Sequence, residues 1–253
     1  MSSSPSALTD AASRALVLRH ARTLIDKTLA FFAGAQDGQL KVMRSYMFEL
    51  VDARPHTTQA QNLRAAAGQL DKQEALFKRS LQIALREAIE DEIEAILPGS
   101  LKILRPTDET GVSSGLSSMA LLDVDEIERH LLVDRISQRF NARYEPQLPA
   151  FTLSVGALFA QDEFTLTDNP YRPATLIRAH ALAWRLSEFD PAVVEDFISV
   201  FDPRPCGDWA PLYATLTETL VRAGFCGALR APYQARAGCR CGAIRAAQDA
   251  GRQ

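Results

Sequence analysis

The sequence predicts an all-α fold: a multi-helix bundle with one long helix and a disordered C-terminal tail. Three observations carry that prediction. Apolar residues recur at three- and four-residue steps in every segment that holds enough of them to build a core, which gathers them on one helix face. Nowhere is there a sustained alternation of β-branched or aromatic with polar residues bounded by hairpin turns. From Cys226 onward the chain turns rich in Ala, Gly and Arg and poor in large aliphatics, a composition that cannot bury enough surface to order itself.

After a polar start, the spacing predicts a helix from about Leu8 to Phe32, a turn at "GAQDG" (Gly34 to Gly38) and a second helix across "QLKVMRSYMFELVD" up to the break at Pro55. Residues 58–97 read as one uninterrupted helix, with Leu63, Ala67, Leu70, Phe77, Leu81, Leu85, Ile89 and Ile96 in step, stopped by Pro98 and Gly99. "RPTDETGVSSG", Arg105 to Gly115, has the make-up of an exposed connector. It divides an N-terminal helical subdomain (1–104) from a C-terminal one (116–225), with the tail from 226 to 253. Further helices are predicted over 123–144, 148–160, 173–186, 191–200 and 209–223, with a turn at Asp168, Asn169 and Pro170. Short connections imply antiparallel neighbours.

Composition excludes more than it recommends. A chain of 253 residues with 47% hydrophobic and 23% charged side chains can bury a substantial core. A net charge of -3 gives no field that selects nucleic acid or an anionic membrane, and the basic tail from Arg222 lacks interleaved aromatics. "MSSSPSALTD" does not read as a secretory signal, and the charge-free stretches fall short of the about 20 apolar residues a membrane helix needs. A cytoplasmic protein with reduced thiols is therefore expected, bound to neither membrane nor nucleic acid.

The stretch "LLDVDEIERHL" crowds Asp123, Asp125, Glu126 and Glu128 behind two leucines. Asp123 and Glu126 have the three-residue step of a capping box, and carboxylates in a first turn are favoured by the helix dipole. The alternative is an aspartyl nucleophile at Asp123 with Asp125 as acid/base. That chemistry requires a buried parallel strand and a magnesium site, and the surrounding residues supply neither. "GVSSG" would make Ser113 a hydrolase nucleophile only on a strand-to-helix turn, whereas its setting is a connector.

Glu87, Glu90, Asp91 and Glu94 share a face of the long helix that reads as solvated; no Glu-x-x-His step accompanies them to build a carboxylate-bridged metal centre. Glu92 differs, since it projects among Leu85, Ala88 and Ile96, where a carboxylate needs a cation or an edge. It is the candidate buried or interface carboxylate. Cys206, Cys226, Cys239 and Cys241 lack the paired spacing of a zinc site, and His20, His56, His130 and His180 have neither triad nor ligand spacing. No phosphate-cradling glycine loop is present. No catalytic, cofactor-binding or metal residue is therefore assigned, and no cofactor is expected.

"LSSMALLDVDEIERHLLVDRISQRFNARYEPQL" (Leu116 to Leu148), "NPYRPATLIRAHALAWRL" (Asn169 to Leu186) and "WAPLYATLTETLVRAGF" with "APYQ" behind it resemble the amino-terminal part of a bacterial family, domain of unknown function 1631. The resemblance extends from about Thr9 to Tyr233. It implies a soluble, helix-rich bacterial protein of uncharacterised activity. Known members are longer, so the resemblance also implies a truncated or altered form after about Gly224. Some members bear the label thymidine phosphorylase, but this sequence holds no Gly/Ser-rich phosphate-binding stretch with the lysine and serine that reaction needs.

The reading that follows is a non-enzymatic helical interaction or regulatory module. An enzyme, either a nucleoside phosphorylase or an unrecognised hydrolase, is the alternative. A helix over 58–97 at ~1.5 Å per residue would reach roughly 60 Å, against a diameter of about 45 Å for a compact chain of this length. One end is thus expected to project and to expose part of its apolar stripe. Leu63, Leu70, Phe77 and Leu81 form the candidate interaction stripe, with a protein partner or a second copy of the chain to cover it.

Overall fold

A computed structural model describes residues 5–105, 124–190, 198, 201, 203 and 206–226, with side chains from residue 12 in the first helix and from 131 in the fourth. Among them there is no strand. The helices are α1 (Pro5–Ala53), α2 (Thr58–Ile96), α3 (Leu101–Leu104), α4 (Val124–Arg143), α5 (Leu148–Leu158), α6 (Pro173–Leu186) and α7 (Ala210–Arg222), with a 3-10 turn at Leu166–Asp168. No described helix is long and apolar enough to cross a membrane.

The first helix differs from the sequence expectation. Gly34 and Gly38 do not turn the chain; α1 runs unbroken for 49 residues. The physical reason lies in the phase of its stripe: Leu18, Ala21, Ile25, Thr28, Phe32, Gln36, Leu40, Met43, Met47 and Val51 are all buried and follow one another at three- and four-residue steps across both glycines. Each glycine weakens a helix by about 1 kcal/mol, and burial of the stripe on either side outweighs that. Gln36 crosses the stripe at no loss, its amide donating to the Lys78 carbonyl at 3.3 Å.

Pro55 ends α1, and Thr57 restarts the chain by accepting from the Ala60 amide. The second helix then returns antiparallel to the first. Arg86 meets Asp26, Lys78 meets Asp37, and Arg44 meets Asp71 and Glu74, so numbers rise along one helix as they fall along the other. α2 is bent rather than straight, with a non-helical Gln73 (φ -113, ψ 16).

The continuity of α1 corrects the expectation of an uncovered end on 58–97. Leu63, Leu70, Phe77 and Leu81 are all at most 2% exposed. The stretch of α1 from Asp37 to Ala53 runs back along the first half of α2 and covers it.

Gly99 takes φ +83 after α2, a conformation that suits glycine, and the chain turns into the short α3. Residues 106–123 lie outside the described segments, and with them most of the expected connector, Ser113 and Asp123. The two halves on either side of it share one hydrophobic core. α6 packs on α2, α4 on α6, and α7 on both α5 and α1.

In the second half, Pro149, Pro173 and Pro211 each stand in the first turn of their helices, where a missing N–H costs nothing. The turn before α6 is built by side chains. Thr165 and Asp168 form a reciprocal capping box, and buried Asn169 accepts from the Tyr171 amide while donating to the Thr152 hydroxyl. Gly156 lets this turn approach α5, because a Cβ there would stand 2.7 Å from that of Phe164.

Candidate functional site

The carboxylates of α2 are the most chemically charged feature of the fold, and most of them act within it. Glu92 accepts from Arg172 Nη1 at 3.0 Å and Nη2 at 2.8 Å, a two-pronged pair that joins α2 to the start of α6; Arg178 reaches the same oxygen as Nη2, and the Thr175 hydroxyl lies 3.4 Å away. Both Glu92 and Arg172 are mostly buried. The planar fork of Arg172 therefore fixes the angle at which α6 meets α2.

Two members of the face expected to be solvated are not. Glu90 is 1% exposed and accepts from Arg105 Nε at 2.6 Å, with Arg86 at 3.6 Å; Asp91 holds the other end of the Arg105 guanidinium. Removing Arg105 would leave a buried carboxylate with one weaker partner. Glu94 bends back to accept from the Gly99 and Leu101 amides and the Ser100 hydroxyl. Burial pushes its carboxyl up, but those donors outweigh the effect and hold it below the usual carboxylate range. Arg86 stands four residues before Glu90 on the same helix. What the sequence could not show was Arg105, which arrives only after the chain has turned at Gly99.

A second centre lies in the shared core. The Trp209 ring packs on Phe140 at 4.5 Å between centroids, stacks on Tyr144 at 6.1 Å and His180 at 5.9 Å, and meets Phe32 edge-on at 5.6 Å. Tyr144 Oη accepts from the Trp209 amide and donates to the Gly207 carbonyl. The Cys206 carbonyl accepts from Trp209 Nε1 and from Gln39 of α1. Two groups from distant elements, the Tyr144 hydroxyl and the Gln39 amide, thus clamp the segment that leads into α7.

His180 is buried in this cluster, 2.8 Å from the Leu176 carbonyl through Nδ1. A carbonyl only accepts, so Nδ1 carries the proton and Nε2 is the bare nitrogen. Burial lowers its pKa from 6.5 to about 4, against a small upward pull from that carbonyl. The imidazole is neutral at physiological pH. It shares with Cys206, Met43, Gln36 and Phe201 a cavity of about 10 Å³, room for about one water. A histidine and a thiol that face so small a space can order a water, but no substrate fits between them.

The remaining candidates are scattered. His20 packs edge-on against Phe225, and His56 lies in the exposed loop between α1 and α2. Cys226 is partly exposed, Cys239 and Cys241 lie outside the described residues, and the side chain of His130 does too. Among the described residues no group of three His, Cys, Asp or Glu side chains is placed to hold a metal ion. A cleft of about 170 Å³ opens where α1, the end of α2 and the end of α5 meet, lined by Ser13, Arg14, Val17, Ile96, Leu97 and Phe159. No motif in the sequence marks it, because its residues come from three separate helices and only one of them is charged.

Against known families, residues 17–224 match the model of the N-terminal domain of a protein of unknown function, DUF1631. No curated protein and no solved structure matches the chain.

Proposed function

We propose that this chain, which belongs to the DUF1631 family through its N-terminal domain, is a non-enzymatic helical module that acts by binding another protein or a second copy of itself. One observation carries the reading. Leu76 and Ile83 stand two turns apart on the same side of α2, 38% and 44% exposed, while the stripe on its other side is in the core. That seven-residue step is the spacing at which a partner helix seats its own apolar side chains. The carboxylates further along α2 are engaged within the fold: Glu92 orients α6, Glu90 anchors Arg105, and Glu94 closes the turn into α3. Their use is architectural, which suits a scaffold.

The expected outcome is association that depends on this face. Light scattering over a wide concentration range, with reciprocal pull-downs, should detect a dimer or one recurrent partner, and Leu76→Glu with Ile83→Glu should abolish it while leaving the circular-dichroism spectrum unchanged. Both positions are surface sites, so the double variant should fold. A wild type that stays monomeric and captures the same proteins as the double variant would overturn the proposal. Turnover of a nucleoside with phosphate by the purified chain would overturn it from the other direction.

A further inference from the structure

We propose that the cleft between α1, α2 and α5 is a binding site for a small organic carboxylate with an apolar body, free or as the last residue of a peptide. Its volume of about 170 Å³ makes it the larger of the two cavities described, the other being the one-water space beside His180. An apolar cavity of about 150 Å³ is enough to take a benzene ring. The body that fits is therefore about six carbons in size.

The lining defines the chemistry. Val17, Ile96, Leu97 and Phe159 are each partly buried against the core, so each presents its remaining apolar surface to the cleft. Ser13 and Arg14 add the polar side chains.

Arg14 selects the anion. Its Nη2 donates to the Pro98 carbonyl, and none of the described carboxylate side chains pairs with it. Arg44, Arg86, Arg105, Arg172 and Arg178, by contrast, are all engaged by Asp or Glu. A guanidinium carries five donors in a plane, which leaves Arg14 a fork for a carboxylate. The cleft also lies beside the carbonyl end of α2, whose dipole repels negative charge. One arginine against that field suits a single charge, so a monocarboxylate fits and a phosphate does not. The site is separate from the outer face of α2, and neither proposal depends on the other.

Calorimetric titration and thermal shift on the whole chain test the idea with phenylacetate and octanoate, each against its neutral amide, and with a short peptide ending in phenylalanine, free or amidated. Saturable binding is expected for the acids, weaker by at least about tenfold for the amides. Arg14→Gln should remove that preference, and Arg14→Lys should keep part of it, since the charge stays while the fork is lost. Phe159→Ala should weaken acid and amide alike. Binding of the peptide alone would assign the site to chain termini, and binding of the small acids too would assign it to free ligands. The proposal is overturned if no acid or peptide saturates, if acids and amides bind equally, or if folded Arg14→Gln and Arg14→Lys both bind the acids as the wild type does.

Discussion

The α1–α2 hairpin and the α4–α7 half build the same core in different ways. The hairpin spreads its contacts: aliphatic and alanine side chains repeat down two long helices, and the ion pairs along its flank, such as Arg86 with Asp26 at 3.3 Å, are exposed enough to contribute little. The second half concentrates its contacts. Trp184, Trp209, Tyr144, Tyr171, Tyr213, Phe140 and Phe151 are all at most 2% exposed, and the tyrosine hydroxyls reach across the fold. Tyr171 Oη donates to the Ala21 carbonyl of α1, and Tyr213 Oη to the Tyr171 carbonyl. A repeating stripe tolerates local imperfection, whereas a single aromatic node does not.

The largest expected effect breaks that node. Trp209→Ala should destabilise by about 3–5 kcal/mol, because it removes a fully buried indole and releases the loop that Tyr144 and Gln39 hold. A shortening in the hairpin, Ile89→Val, should cost about 0.5–1.5 kcal/mol. Urea unfolding of the two variants measures both, and a Trp209→Ala cost no greater than that of Ile89→Val would erase the contrast.

A smaller effect comes from pH. His180 takes up a proton at about 4 when folded and 6.5 as the ordinary value. Between those limits the unfolded chain binds the proton and the folded chain does not, so stability falls as pH falls from 6.5 toward 4 and is unaffected above that window. The full loss is about 3 kcal/mol. His180→Phe should flatten this part of the profile, and the difference between the two proteins cancels the carboxylates common to both. Parallel profiles for wild type and variant would show that the imidazole is not buried neutral.

Legibility follows the same division. Periodicity reveals α2, α4, α6 and α7 to within a residue or so because each obeys a rule local to its own sequence, with a proline or glycine at an end. It does not reveal that Trp209, His180 and Phe32 converge, since they come from distant elements and no spacing encodes their meeting. Glu92 stands out in sequence as a carboxylate on an apolar face, and Arg172 and Arg178 answer it from 80 and 86 residues away. Glu90 is read as solvated because its wheel position is outward; Arg105 folds over it. The cleft beside Arg14 leaves no trace in the sequence at all.

The smallest effect sharpens the comparison where local and global signals conflict. Gly34 and Gly38 read as a turn by composition and as mid-helix by the phase of the stripe that spans them, and in the structure the stripe prevails. If so, both positions carry an avoidable entropic cost. Each is exposed, and an added Cβ at either would meet nothing within 4 Å. Gly34→Ala and Gly38→Ala should therefore each stabilise the fold by up to about 1 kcal/mol, and the pair nearly additively, with unchanged helix content. Chemical denaturation followed by circular dichroism measures this directly. Stability that drops with either alanine would mean that the chain bends at 34–38 as the glycines suggest, and that the second half of α1 packs on α2 as a helix of its own. Leu63 and Leu70 would then owe their cover to that second helix and not to one continuous α1.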